Sequence, residues 1–248
     1  MPADNYMSES RLAARPDDHA TLTKDNTRMS AALLHRGQPV LSAGQAVDRS
    51  QGVMIMVHGR GATPGDILDL ARTLDRPGFA YLAPTAANNT WYPYSFLTET
   101  VKNEPWLSSA LEVLGGLVDG LVARGVGQDR IVLLGFSQGA CLSGELAVRR
   151  PGRYGGVVML SGGLIGPPGT TWNHEGSFEG TPVFLGCSDV DPHIPAGRVE
   201  ESAAVFERMG ALVTKRLYPG MGHRVNDDEI ACIRSLMDRV EAASPDTR

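Results

Sequence analysis

The chain has 248 residues, 42% of them hydrophobic and 21% charged, an ordinary globular balance that excludes collagen-like, coiled-coil and wholly disordered classes. A chain of this length can bury about 70–75% of its unfolded surface, enough for one large domain without staples. Its formal net charge of -5 lacks the cationic excess that phosphate neutralisation requires, so neither nucleic acid nor an anionic membrane is expected as a partner, while small-molecule substrates are.

Residues 1 to about 29 are polar, carry Asp4, Glu9, Asp17 and Asp18, and show no hydrophobic periodicity. They are expected to form a disordered amino-terminal extension, with the folded domain running over 30–248. No apolar stretch of signal-peptide length occurs there, and no run anywhere approaches the ~20 residues of a membrane span. Three cysteines, Cys141, Cys187 and Cys232, have no paired spacing and read as reduced thiols of a chain expected in the cytoplasm.

From there short β-rich apolar runs alternate with longer helical patterns, the signature of a parallel sheet covered on both faces. An edge strand is expected around Gln38–Ser42, paired antiparallel, followed by strands over Val53–Val57, Phe79–Pro84, Arg130–Phe136, Gly156–Leu160, Pro182–Gly186 and Val213–Tyr218. After the first buried strand, Thr63-Pro64-Gly65-Asp66 offers a capping hydroxyl, a proline at the first helical position and an acid in the first turn. Further helices are expected near Pro105–Arg124, Gln138–Arg149, Ala196–Met209 and Asp227–Ala242, each with apolar positions three and four apart. Met54, Met56 and Met159 read as core filler. Two connections, Ala86 to Glu104 and Gly162 to Thr181, exceed the usual 2–6 residues, and loops of that length often carry binding functions.

The chemistry concentrates where the strand Arg130–Phe136 runs into Gly135-Phe-Ser137-Gln-Gly139 and then into a helix. A serine hydroxyl is a poor nucleophile unless a sharp turn holds it beside a base, and the two glycines leave room for such a turn. The helix also aims its amino end at Ser137, favouring developing negative charge. Such an elbow predicts an acid and then a histidine, each in a loop after a later strand. Cys187-Ser-Asp189-Val-Asp191-Pro192-His193 follows one such strand and Pro219-Gly-Met-Gly-His223 follows the next. Strand carboxyl ends share one rim in open α/β sheets, so Ser137, the acidic loop and His223 are expected to meet.

Among the six histidines, His19, His35, His58, His174, His193 and His223, only His223 has the position of a base. Asp189 and Asp191 both stand where the acid belongs. Asp191 is preferred because the following proline stiffens its turn, and Asp189 is expected to cap the loop through its own backbone. Asp189-Val-Asp191-Pro-His193 could also be read as a metal cluster, but no second ligand group accompanies it, and no metal or cofactor is implied. Backbone N–H donors for an oxyanion are expected from the residue after the nucleophile, Gln138, and from Arg60 in the turn His58-Gly-Arg-Gly-Ala-Thr63, by main chain only. That turn lacks the endings of a phosphate cradle, which disfavours nucleotide binding. Trp91, Tyr94 and Phe96 belong to a segment, Trp91-Tyr-Pro-Tyr-Ser-Phe96, unusually aromatic for a chain with 6% aromatic residues. They are expected to line a substrate pocket, with a loop pinned to the core as the other reading.

These residues resemble the α/β-hydrolase superfamily, and more narrowly its phospholipase/carboxylesterase family, which includes acyl-protein thioesterases and small bacterial carboxylesterases. The resemblance rests on His58-Gly-Arg-Gly61, Gly135-Phe-Ser-Gln-Gly139, Ser188-Asp-Val-Asp-Pro192 with Ile194-Pro195, and Gly222-His223, and covers about residues 31 to 241. It implies an α/β-hydrolase fold with about seven strands and no large cap domain. It further implies Ser137 as nucleophile, Asp191 as acid and His223 as base, the main chains of Arg60 and Gln138 as oxyanion donors, and a homodimer as a compatible assembly. The chain departs from the family at Arg60-Gly-Ala-Thr63, where many members carry Leu-Gly-Asp-Thr, and at Gly186-Cys187-Ser188, where a histidine-glycine pair is frequent. The Trp91–Phe96 segment looks more like bacterial esterases related to dienelactone hydrolases, although those generally use cysteine where this chain has Ser137. The expected activity is that of a serine carboxylesterase acting on small or medium acyl or aryl esters through an acyl-enzyme. An acyl-protein or acyl-CoA thioesterase or lysophospholipase is the nearest rival, and a noncatalytic ligand receptor on the same fold is the alternative of another class.

Overall fold

The computed structural model describes residues 34–243, so the expected amino-terminal extension lies outside the described residues. Seven strands form one sheet in the order β1-β3-β2-β4-β5-β6-β7. They are β1 (Val40–Gly44), β2 (Gly52–Val57), β3 (Phe79–Pro84), β4 (Ile131–Phe136), β5 (Gly156–Leu160), β6 (Pro182–Ser188) and β7 (Leu212–Tyr218). Only β1 runs antiparallel, paired with β3 at the edge, and every other neighbour is parallel. The helices are α1 (Pro64–Leu74), α2 (Trp106–Ala123), α3 (Gln138–Arg149), α4 (Ala196–Arg208) and α5 (Asp227–Ala243).

Central strands buried on both faces explain the near-continuous apolar runs. Every residue of β2 is buried, and successive side chains enter opposite cores. Val53, Ile55 and Val57 join Leu133 and the apolar faces of α2, α3 and α4. Met54 and Met56 join Val132, Leu134, α1 and α5 on the other side. Helix α3 covers the centre of the sheet and is buried from Gln138 through Val148. Contrary to the expectation that no run approaches a membrane span, helix α2 is long and apolar enough, by length and composition alone, to cross one. It spends that apolarity on the sheet, burying Leu107, Ala110, Leu114, Val118 and Leu121.

The strand ends differ slightly from the sequence expectation. Arg130 closes a 3-10 turn, Gln128–Arg130, instead of opening β4, because its guanidinium turns back to the carbonyls of Ser50 and Gln51. Strand β6 continues to Ser188 because β7 pairs with it through Ser188↔Tyr218. The start of α1 follows its chemistry: Thr63 and Asp66 form a reciprocal capping box with Pro64 at the first helical position.

The topology places the site. The chain leaves β2 outward to β3, then returns to pair β4 on the other side of β2. Strand order reverses between β2 and β4, so their carboxyl ends flank the crevice where open α/β sheets bind ligands. Leu133, 0% exposed at the middle of β4, tests the core that holds this pair. Leu133→Ala should cost about 2–5 kcal/mol in urea denaturation, whereas Leu212→Ala, at a position 61% exposed on the edge strand β7, should stay within about 0.5 kcal/mol.

Candidate active site

Ser137 bridges β4 and α3 with φ 55 and ψ -119, a conformation that a residue with a Cβ adopts only where its surroundings enforce it. Two close backbone approaches do so. A Cβ on Gly135 would lie 2.2 Å from the carbonyl oxygen of Gly139, and one on Gly139 would lie 2.0 Å from that of Val57. Glycine at both places lets α3 begin directly against the ends of β4 and β2. The Ser137 N–H donates to Leu160 O at 2.9 Å, tying the turn to β5 as well.

The acid and histidine loops follow β6 and β7 and are stitched together. Gly220 N–H donates to Asp189 Oδ1 at 2.9 Å, and Gly222 N–H donates to Ser188 Oγ at 3.0 Å. Asp189 therefore braces the neighbouring loop and does not cap its own. Asp191 Oδ2 lies 2.7 Å from His223 Nδ1. Its other oxygen accepts the N–H groups of His193 at 2.8 Å and Ile194 at 3.1 Å, and the buried Cys187 thiol lies 3.7 Å from Oδ2. Removal from water pushes the Asp191 carboxyl up, but the hydrogen bonds from His223, His193 and Ile194 outweigh that effect and hold it below the usual carboxylate value. His223 packs between the rings of Phe136 and His193, with centroids 4.9 Å away in each case.

Ser137, His223, His193, Phe136, Gln138 and the β2 loop line one open cleft of about 530 Å³, the size of a small-ligand site. The hydrogen bonds of the described residues join His223 to Asp191 and not to Ser137. Cys141 also lines the cleft, but burial pushes its thiol up to about 12, so it stays protonated.

The loops after β2 and β3 are held by side chains to which the sequence assigns no role. His58 Nε2 accepts the Ala86 N–H at 3.2 Å, so the proton sits on Nδ1 and is donated to Gly59 O at 2.8 Å. Burial lowers the pKa of this imidazole, which keeps it neutral in that role. His35 acts alike, accepting the Ala87 N–H and donating to Trp91 O, both at 3.0 Å, with burial again lowering its pKa. Gln138 adds a side-chain role to its main-chain position: its amide accepts Trp91 N–H at 3.0 Å and donates to Tyr92 O at 2.8 Å.

The aromatic segment splits between the two readings. Trp91 is 0% exposed, donates its indole N–H to His58 O at 2.9 Å and is absent from the cleft wall, so its expected contact with substrate is corrected: it is the pin. Tyr94 and Phe96 do line the cleft, together with Tyr92 and Ile194, which were not singled out. No sequence signal separates Tyr92 from its neighbour Trp91, because the segment is irregular and has no fixed side-chain alternation. Arg60 likewise does more than offer its main chain. Its guanidinium donates to the carbonyls of Pro93 and Tyr94, both at 2.6 Å, fastening the aromatic loop across the cleft.

Comparison with known proteins gives one answer. The family model described as Phospholipase/Carboxylesterase matches residues 42–240. Acyl-protein thioesterase 1 of Eremothecium gossypii is 30% identical over 214 residues, covering 76% of this chain and 89% of that protein. A solved phospholipase/carboxylesterase from Dyadobacter fermentans is 40% identical, with a TM-score of 0.78 over 81% of this chain and 96% of that one. The carboxylesterase of Bacillus cereus, 20% identical with a TM-score of 0.67 and covering 86% of this chain and 99% of its own, shares the fold.

Two outcomes test the architecture. Gly139→Ala should destabilise the chain by at least about 3 kcal/mol in urea denaturation, because backbone and not a yielding side chain occupies the space its methyl needs. Glu229, at the start of α5, is 0% exposed and accepts the Asn226 N–H at 2.9 Å. Burial pushes its carboxyl up to about 7 from 4.5. Between those values the native state holds a proton that the unfolded chain has released, so this group makes stability fall as pH rises. Glu229→Gln should flatten that decline between about pH 4.5 and about pH 7 in thermal melts.

Proposed function

Because this chain belongs to the phospholipase/carboxylesterase family, we propose that it is a serine carboxylesterase acting on small to medium acyl or aryl esters through an acyl-enzyme. Family membership makes it an ester-bond hydrolase; the substrate range and the catalytic roles are our reading. One observation carries it: the strained Ser137 and a His223 fixed at 2.7 Å by a buried carboxylate face the same cleft.

In this reading Ser137 Oγ attacks the ester carbonyl and its proton passes to His223 Nε2, while Asp191 holds the ring and stabilises the imidazolium. The tetrahedral oxyanion takes the N–H groups of Gln138 and Arg60. His223 returns the proton to the departing alcohol, and water repeats the sequence to release the acid and restore Ser137. The lack of an inserted cap among the described residues leaves the cleft open, which suits short acyl groups better than a long chain that needs an enclosed channel.

A thioester substrate is the second reading, favoured by the 30% identity to a relative named acyl-protein thioesterase 1. The same nucleophile and oxyanion donors serve a sulfur leaving group.

Turnover of p-nitrophenyl esters from acetyl to palmitoyl, measured for wild type and Ser137→Ala, tests both. The proposal expects kcat/KM to peak at short chains and kcat to drop by at least about 10³-fold in the variant. A peak at long chains, or faster cleavage of matched acyl thioesters, favours the thioesterase, and turnover independent of Ser137 overturns the triad.

A further inference from the structure

Among the described residues lining the cleft, Arg60 carries the only permanent charge, with no aspartate, glutamate or lysine beside it. The Arg60 side chain is exposed and joins no ion pair among the described residues. Its guanidinium is nonetheless held in place, since both terminal nitrogens donate to carbonyls of the opposite wall at 2.6 Å and the group lies 6.0 Å from the Tyr92 ring centroid. Carbonyls and an aromatic face orient a cation without neutralising it. A guanidinium has five N–H donors, so three remain for a ligand.

The nearby carboxylates are already engaged. The Asp191 side chain is 0% exposed and bonded to His223. Asp66 closes the α1 capping box through the N–H and hydroxyl of Thr63, both at 2.7 Å. The result is an oriented, uncompensated cation on the wall of the proposed ester site, in a chain whose net charge is -5.

From this we infer that the cleft selects esters that themselves carry a carboxylate away from the scissile bond, such as hemiesters of short dicarboxylic acids, with Arg60 as the specificity-determining residue. The inference rests on the ester-hydrolase reading above. A fixed guanidinium meets a carboxylate with charge-assisted hydrogen bonds that a neutral isostere cannot make. The chain's overall negative charge supplies no long-range attraction, so the preference arises from local contact and weakens with salt.

Two matched pairs test it. In one the anion is on the acyl side, 4-nitrophenyl hemiglutarate against 4-nitrophenyl valerate; in the other it is on the alcohol side, 4-acetoxybenzoate against 4-methylphenyl acetate. The expected result is a kcat/KM ratio, anionic over neutral, of about 10 or more in at least one pair, and the pair that shows it identifies the side that meets Arg60. Arg60→Gln should bring that ratio to about 2 or less, Arg60→Lys should keep part of it, and salt at about 0.5 M should shrink it in wild type. The ratio is the readout because Arg60 also braces the loop, and its loss can lower turnover of both members. Ratios near one in both pairs, or a preference that survives in Arg60→Gln, overturn the inference while leaving the hydrolase reading intact. Absence of Ser137-dependent turnover of all four esters overturns the hydrolase reading instead. Salt dependence in wild type decides the matter if Arg60→Gln does not fold.

Discussion

The contact between the first turn of α3 and the end of β2 governs the site. Gly139 approaches so closely that a methyl group there would stand 2.0 Å from Val57 O and 2.6 Å from His58 O. This backbone-to-backbone seating lets the strand turn into a helix within one residue and leaves Ser137 at φ 55. It also brings the Gln138 N–H and the loop after β2 to the same place. Strain at one residue is sustainable because the surrounding sheet over-determines it: β2, β4 and β5 are buried almost throughout, and their register ties Val57 to Gly135 and Phe136 to Leu160.

Given that seating, the loops after β2 and β3 still have to be kept from moving, and two neutral imidazoles do this, His58 tying the first to the second and His35 bonding within the second. His58 and His35 each accept one backbone N–H and donate to one carbonyl. An imidazolium has no acceptor, so protonation of either would break a bond. Burial lowers both pKa values, which protects the arrangement against mild acid. Trp91 packs between them, with ring centroids 5.5 Å from His35 and 5.0 Å from His58. A nonreacting aromatic and two nonreacting histidines thus fix the backbone that faces the cleft.

Much of this was legible in the sequence, and the exceptions have a common cause. The strands around Val53–Val57, Gly156–Leu160 and Phe79–Pro84 announce themselves because a strand buried on both faces has to be apolar throughout. The order of Ser137, Asp191 and His223 could be read because loops at strand carboxyl ends share a rim. Side-chain direction within an irregular loop could not. Trp91 and Tyr92 are adjacent and equally aromatic, yet one is a pin behind the cleft and the other lines it. Asp189 and Asp191 are both two-carbon acids in one turn, and only the three-dimensional path of the histidine loop gives Gly220 to the first and His223 to the second. Arg60 read as backbone because its partners, Pro93 and Tyr94, lie 33 and 34 residues away.

The second long connection, Gly162 to Thr181, completes this wall from behind. Gly166 N–H donates to Phe96 O at 2.8 Å, joining it to the aromatic loop. Arg198 of α4, 4% exposed, donates to the carbonyls of Leu164, Gly166 and Pro167. Its guanidinium stands 5.8 Å from the Phe96 ring centroid and 5.1 Å from that of Trp172. A buried cation is costly unless its donors are satisfied and its charge is paired, and here they go to these carbonyls and, through Nε, to the Glu201 carboxylate at 2.8 Å. Two arginines therefore brace this wall, Arg60 the aromatic loop at the mouth and Arg198 the second connection behind it, but only the first faces the cleft. The buried one has every reason to be structural, whereas the exposed one keeps free donors beside the proposed nucleophile. That difference in solvent access, between two side chains that both bond to backbone carbonyls, separates a brace from a group able to meet a ligand.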